Sequence, residues 1–194
     1  MKSKLVALII ASAAIPAMLP SCAHDPFTKA NAASSSAAKI SRDSRAALAS
    51  LYAHDPSARA LGSKARGVLV FPSVVRGGLV VGGQAGNGAM IRDTGEISGF
   101  YQTVAGSYGL QGGIQTFGYA LFFMDDQAYD NLRRTGGWEL GSSPSIVIVD
   151  KGMAGGLTNA TLNRGTYAFF FNQRGLMAGL GLQGSKITRI HPGP

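Results

Sequence analysis

Apolar positions along this chain follow three different rhythms. The first is an unbroken apolar run from Leu5 to Leu19, broken in character only by Pro16. The second has helical spacing: Ile40, Ala47, Leu48, Leu51 and Tyr52 fall roughly along one stripe, with Ser41, Arg42, Asp43 and Arg45 mostly off it. A helix over 40–52 follows. Asp55-Pro56 then opens a second short helix running to about Ala65, because Asp caps free amides and Pro is tolerated in a first turn. The third rhythm begins after Arg66, where β-branched and aromatic runs are cut by glycines. These predict strands at Val68–Phe71, Leu79–Val81, Ala89–Arg92, Ile97–Thr103, Tyr108–Gln115, Phe117–Met124, Ser145–Val149, Thr166–Phe171, Leu176–Leu182 and Lys186–Ile190. One helix interrupts them. Asp125-Asp126 caps Gln127–Arg134, Ala128 and Leu132 are its buried residues, and Gly136-Gly137 stops it.

Short strands without alternating helices imply an α+β domain built on a predominantly antiparallel sheet, with the N-terminal helices packed on it. The chain has 27 glycines in 194 residues, and all but Gly62 lie beyond residue 66. Glycines inside strands mark bulges, bends or close backbone approach, so the sheet is expected to be strongly bent, as a barrel or a folded-over sandwich. Charged residues make up only 14% of the chain, so many strands should be covered on both faces. Pro72 is expected to end the first strand and place Arg76 on a loop rim.

The Leu5–Leu19 run follows a basic Met1-Lys2-Ser3-Lys4 start and is too short to span a bilayer comfortably, which fits a secretory segment. Leu19-Pro20-Ser21-Cys22 resembles a bacterial lipobox, with Cys22 as the acylated residue; the alternative is ordinary cleavage nearby, which leaves Cys22 a bare thiol. Acylation would hold the protein at a membrane without a spanning helix, since each buried methylene contributes about 0.8 kcal/mol. No Asp follows Cys22, so the expected location is the bacterial envelope at the outer membrane. The expected division is a signal peptide over 1–21, a lipidated tether over 22–38 and a domain over 39–194.

Net charge is +8, and removal of residues 1–21 leaves +6. That excess suits anionic headgroups; an exported, anchored protein seldom meets nucleic acid. A single cysteine excludes a disulfide framework and Cys-rich metal sites. Catalytic motifs fail on inspection. Gly82-Gly83-Gln84-Ala85-Gly86-Asn87-Gly88 lacks the dinucleotide-binding order, and Gly179 to Gly184 is followed by Ser185-Lys186, the reverse of a P-loop. His24, His54 and His191 lie outside the body, and Asp125 with Asp126 reads as a helix cap. No enzyme activity, cofactor or metal is expected.

Arg66-Gly67-Val68-Leu69-Val70-Phe71-Pro72-Ser73-Val74-Val75-Arg76-Gly77-Gly78-Leu79-Val80-Val81-Gly82-Gly83 resembles the signature of the SYLF domain family. Gly106-Ser107-Tyr108-Gly109-Leu110-Gln111-Gly112-Gly113-Ile114-Gln115, Leu140-Gly141 before the Ile146–Val149 run, and Gly175-Leu176-Met177-Ala178-Gly179-Leu180-Gly181-Leu182-Gln183-Gly184-Ser185 extend the resemblance in order over nearly all of 40–190. The resemblance implies one compact domain that binds acidic phospholipid through basic residues and an amphipathic helix near its start. Arg66 and Arg76 are the leading headgroup candidates, with Arg59 and Arg92 completing the set. Gln84 and Gln183 stand where relatives usually carry acidic residues, which removes negative charge. Actin, a partner of some relatives, does not suit an exported bacterial protein. The expectation is therefore a non-enzymatic envelope lipoprotein that binds membrane phospholipid. The alternatives are an envelope protein–protein module with an unidentified partner and a carrier of a hydrophobic ligand.

Overall fold

A computed structural model describes residues 36–78, 81–108, 113–134, 137–139, 146–149, 165–175 and 185–194. The expected signal segment, Cys22, most of the expected tether, Gln183 and the Leu176–Leu182 strand expectation lie outside these residues. Helix α1 spans Ala37–His54; the Ser36 hydroxyl caps it by accepting from the Lys39 amide. Its stripe of Ile40, Ser44, Ala47, Leu48 and Leu51 is buried, and the Ser44 hydroxyl donates to the Val70 carbonyl at 3.2 Å. Helix α2, Pro56–Gly62, starts as expected: the Asp55 carboxylate accepts from the amides of Ser57 and Ala58. Helix α3, Asp126–Arg134, buries Ala128 and Leu132, and Tyr129 with them. No helix among the described residues is long and apolar enough to cross a membrane.

Among the described residues eight strands form one sheet: β1 (Gly67–Gly78), β2 (Val81–Arg92), β3 (Ile97–Tyr108), β4 (Gly113–Phe123), β5 (Gly137–Glu139), β6 (Ile146–Val149), β7 (Thr166–Gly175) and β8 (Lys186–Ile190). Their order is β5-β8-β3-β2-β1-β4-β7-β6. Every pairing is antiparallel except β6 with β7. The β2–β3 hairpin turns at Gly95, whose φ of 82° a side chain would resist.

Several strands run longer than the apolar runs suggest. Pro72 does not end β1. The strand continues to Gly78, with register shifts around Phe71–Val75 absorbing the residue that cannot donate, so Arg76 sits within a strand and not on a loop rim. Gly83, Gly86 and Gly88 lie inside β2 and do not divide it. The reason is contact: a Cβ on Gly88 would overlap the Val70 carbonyl and the Phe71 ring, and one on Gly86 the Ser73 carbonyl and Val74. Gly137 begins β5 and does not merely stop α3.

Alternation along β1 divides the core between two faces. Val68 and Val70 join Leu48, Leu51, Ala58, Leu61, Ala120 and Phe122 beneath α1 and α2, on what we call the outer face. Leu69, Phe71 and Val74 join Tyr101, Phe117, Tyr119, Phe123, Leu132 and Ile187 on the inner face, with α3 at one end. Burial on both sides explains the continuous Val68–Phe71 run. The inner cluster reaches from β8 to β7, and the side chains of Tyr119 (β4) and Thr103 (β3) are neighbours although β1 and β2 separate their strands. A flat sheet would hold those strands about 14 Å apart, so this one curls. The curl does not close. Among the described residues β5 and β6 remain the two ends of a single sheet, so the barrel or sandwich form is not what the fold shows. Helices, in place of closure or a second sheet, cover the apolar faces.

Candidate functional site

The four candidate arginines do not converge. Arg66 and Arg92 sit at one end of β1: Arg92 pairs with Gly67, and the Arg66 amide donates to the Phe123 carbonyl at 2.8 Å. The Arg66 side chain forms an exposed ion pair with Asp126 at 3.4 Å, which offsets its charge. Arg59 belongs to α2, where its Nε donates to the Tyr52 carbonyl at 3.1 Å. Beside it lies a cavity of about 550 Å³ lined by Tyr52, Ala53, Pro56, Arg59, Ala60 and Ser63. Arg76 occupies the far end of β1, nine residues and about 30 Å from Gly67.

Strand register gives Arg76 its surroundings. It lies opposite Gln84 on β2 and Gln115 on β4, and directly paired residues share a face. The parity of Val74 and Met90 assigns that face to the inside of the curl. Gln84 and Gln115 are each only 3% exposed, and Arg76 is half-buried. Gln84 Nε2 donates to the buried Ser185 hydroxyl at 3.0 Å, while its Oε1 has no partner. One row further in, the Thr103 hydroxyl is also buried and unpartnered. Burial pushes the Tyr119 hydroxyl far above its ordinary pKa, and Thr103 beside it opposes that shift. The inner face thus changes from aromatic packing to a polar row at the end that carries Arg76. Nothing in the spacing of single residues signals this row; it emerges only when three strands are placed in register.

The helix near the start has its apolar stripe buried against the sheet, leaving Lys39, Arg42 and Arg45 outward around Asp43, which pairs with Lys39 and Arg42. In this fold α1 has no apolar face left for a bilayer. Two cations absent from the candidate set, Arg174 on β7 and Lys186 on β8, are exposed at the same end of the sheet as Arg76. Among the described residues no group of three or more His, Cys, Asp or Glu is placed to hold a metal ion.

The fold and this rim define an α+β module built on one curled, open sheet with a basic, glycine-rich end. Residues 104–191, which run from within β3 to just past β8, match the family described as Ysc84: Las17-binding protein actin regulator. The match agrees with the SYLF resemblance of the sequence and covers a little under half of the chain. The Arg66–Gly83 signature lies ahead of the matched segment, yet β1 and β2 occupy the centre of the same sheet. A comparison with curated proteins found no match.

Proposed function

We propose that this protein is a non-enzymatic phospholipid-binding module of the bacterial envelope, held at the membrane by an acylated Cys22. Arg76 is the headgroup-binding residue. The observation that carries this reading is the row of Gln84, Arg76 and Gln115, a cation between two buried amides, with an unsatisfied Gln84 oxygen on the same face. Buried polar groups ordinarily find partners. A phosphate ester would accept from the Arg76 guanidinium by charge-assisted bonds, and headgroup hydroxyls could donate to the amide oxygen. Arg66, Arg59 and Arg92 contribute long-range attraction to an anionic surface and not a common pocket.

Flotation with vesicles tests this reading, using the chain from residue 22 with Cys22→Ser; every described element lies beyond residue 35 and is retained. Binding to phosphatidylglycerol-containing vesicles is expected at low salt, with a steep decline as salt rises. Arg76→Gln should weaken it several-fold. Indifference to anionic vesicles at low salt would refute the reading. The family description favours a second reading, a protein-binding module; it predicts capture of a specific protein with no dependence on headgroup charge.

A further inference from the structure

One residue along from the inward Gln84–Arg76–Gln115 row, the sheet presents an outward row that spans six strands. Arg174 on β7 pairs with Thr116 on β4, and Thr116 with Val75 on β1. Val75 pairs with Ala85 on β2, Ala85 with Val104 on β3, and Val104 with Lys186 on β8. Paired residues share a face, so these six side chains form one row that follows the curl of the sheet, with a contour of about 24 Å. Both ends of the line are exposed cations, and neither makes an ion pair among the described residues. Between them the line is apolar apart from Thr116.

The middle of the line is bare. Val75 is 51% exposed, and Ile114, diagonally beside it over Gly77, is 71% exposed. The Ile114 Cγ1 lies 3.8 Å from where a Gly77 Cβ would stand, and the row continues with Gly83 and Gly106, so within that row of described residues no side chain rises beside it. Elsewhere on this face α1 and α2 cover Val68, Val70, Ala120 and Phe122. Because the sheet curls around its inner face, this outer face is convex, and its apolar middle stands proud of the flanking cations.

We infer that this row is a membrane-docking face for an anionic phospholipid bilayer. Val75 and Ile114 enter the boundary between headgroups and acyl chains, and Arg174 and Lys186 bond lipid phosphates on either side. The inference rests on the phospholipid reading above and adds a second surface, on the outer face at the end of the sheet that carries the inward Arg76 row. Charge selects the occupant. A second copy placed face to face by a two-fold axis would bring a basic end onto a basic end, whereas an anionic surface complements both ends at once.

The test measures binding to vesicles of phosphatidylglycerol and phosphatidylcholine, again with the chain from residue 22 carrying Cys22→Ser. Arg174→Gln with Lys186→Gln should weaken binding about 30-fold at low salt, at roughly the usual contribution of a basic residue near an anionic surface. Val75→Ser with Ile114→Ser should weaken it about tenfold while leaving the melting temperature nearly unchanged, because both side chains are largely exposed. Arg133→Gln with Arg134→Gln removes equal charge from α3 and should cost less than threefold. The indole introduced by Ile114→Trp should be quenched by acyl-brominated lipid in these vesicles. Undiminished binding in both row variants, or equal loss in the α3 control, would overturn this docking face while leaving phospholipid binding intact. A parent chain that binds no anionic vesicle would overturn both. Binding that persists on neutral vesicles and ignores the two cations would point instead to a non-electrostatic partner and overturn the inference.

Discussion

The side chains of Tyr119 and Thr103 face each other inside the curl of the sheet, although β1 and β2 lie between their strands. Neither hydroxyl makes a hydrogen bond of ordinary geometry, and both are buried. Burying a hydroxyl without full compensation is costly, so the ring of Tyr119 stabilises the fold while its oxygen contributes little. Tyr119→Phe should therefore leave stability unchanged or raise it by up to about 1 kcal/mol, whereas Tyr119→Ala should lose about 3–5 kcal/mol through the cavity it opens. Urea unfolding of the two variants checks this. A large loss in the phenylalanine variant would mean that the hydroxyl is satisfied after all.

Burial pushes the Tyr52 hydroxyl up to about 12 from the ordinary value of 10.0. A folded-state pKa above the unfolded one means that the native state holds its proton more tightly. Stability from this group is then fully present below pH 10 and is lost as pH rises toward 12. Tyr119 and Tyr101, also raised by burial, act in the same direction. Denaturation midpoints measured from pH 8 to 12 should fall in the upper part of that range, and Tyr52→Phe should shallow the fall. A parallel rise in phenolate absorbance would tie the loss to tyrosine ionisation.

Much of this architecture is legible from local pattern. The Ile40–Tyr52 stripe, the Asp55-Pro56 cap, the two-sided Val68–Phe71 run and the Asp125 cap each rest on forces acting within a few residues, and the fold contains them all. The errors share one cause. Cutting the strands at Pro72 and at the glycines makes them too short: Pro72 is absorbed by a register shift, and Gly86 and Gly88 lie within β2 at the close backbone approach that glycines in strands imply. Those reasons are tertiary and leave no mark on local spacing. The polar row around Arg76 and the outward row from Arg174 to Lys186 leave no local signal for the same reason, since their members are up to 111 positions apart and meet only through strand register. Arg66 and Arg76 looked like a pair because only nine residues separate them, but an extended strand converts that spacing into the length of the sheet.

Asp125 joins two parts of the fold with one carboxylate. Its Oδ1 accepts from the Ala128 amide at 2.7 Å, capping α3, and its Oδ2 accepts from the Gly165 amide at 2.7 Å, just ahead of β7. Asp125→Ala removes both acceptors and should cost about 2–3 kcal/mol, a melting shift of roughly 4–12 °C for a chain of this size. Asp125→Asn keeps one acceptor and should lose about half as much. Hydrogen exchange should speed up at Ala128 and Gly165 together in the alanine variant. Acceleration at Ala128 alone would mean that the link to β7 is not maintained in solution.

Two glycines in neighbouring strands should respond to the same substitution in opposite ways. A Cβ at Gly88 would overlap the Val70 carbonyl, which is held in the sheet, and the Phe71 ring packed beneath it. At Gly106 nothing stands within 4 Å of the same atom. Gly88→Ala must therefore displace β1 from β2 and should lose about 1–3 kcal/mol or more, because backbone cannot yield as a side-chain tip can. Gly106→Ala meets no obstacle and restricts the unfolded chain, so it should be neutral or stabilising by about 0.4–1 kcal/mol. Thermal melts of the pair decide the matter. Equal losses at both positions would mean that these glycines serve backbone flexibility and not the close approach of β1 to β2.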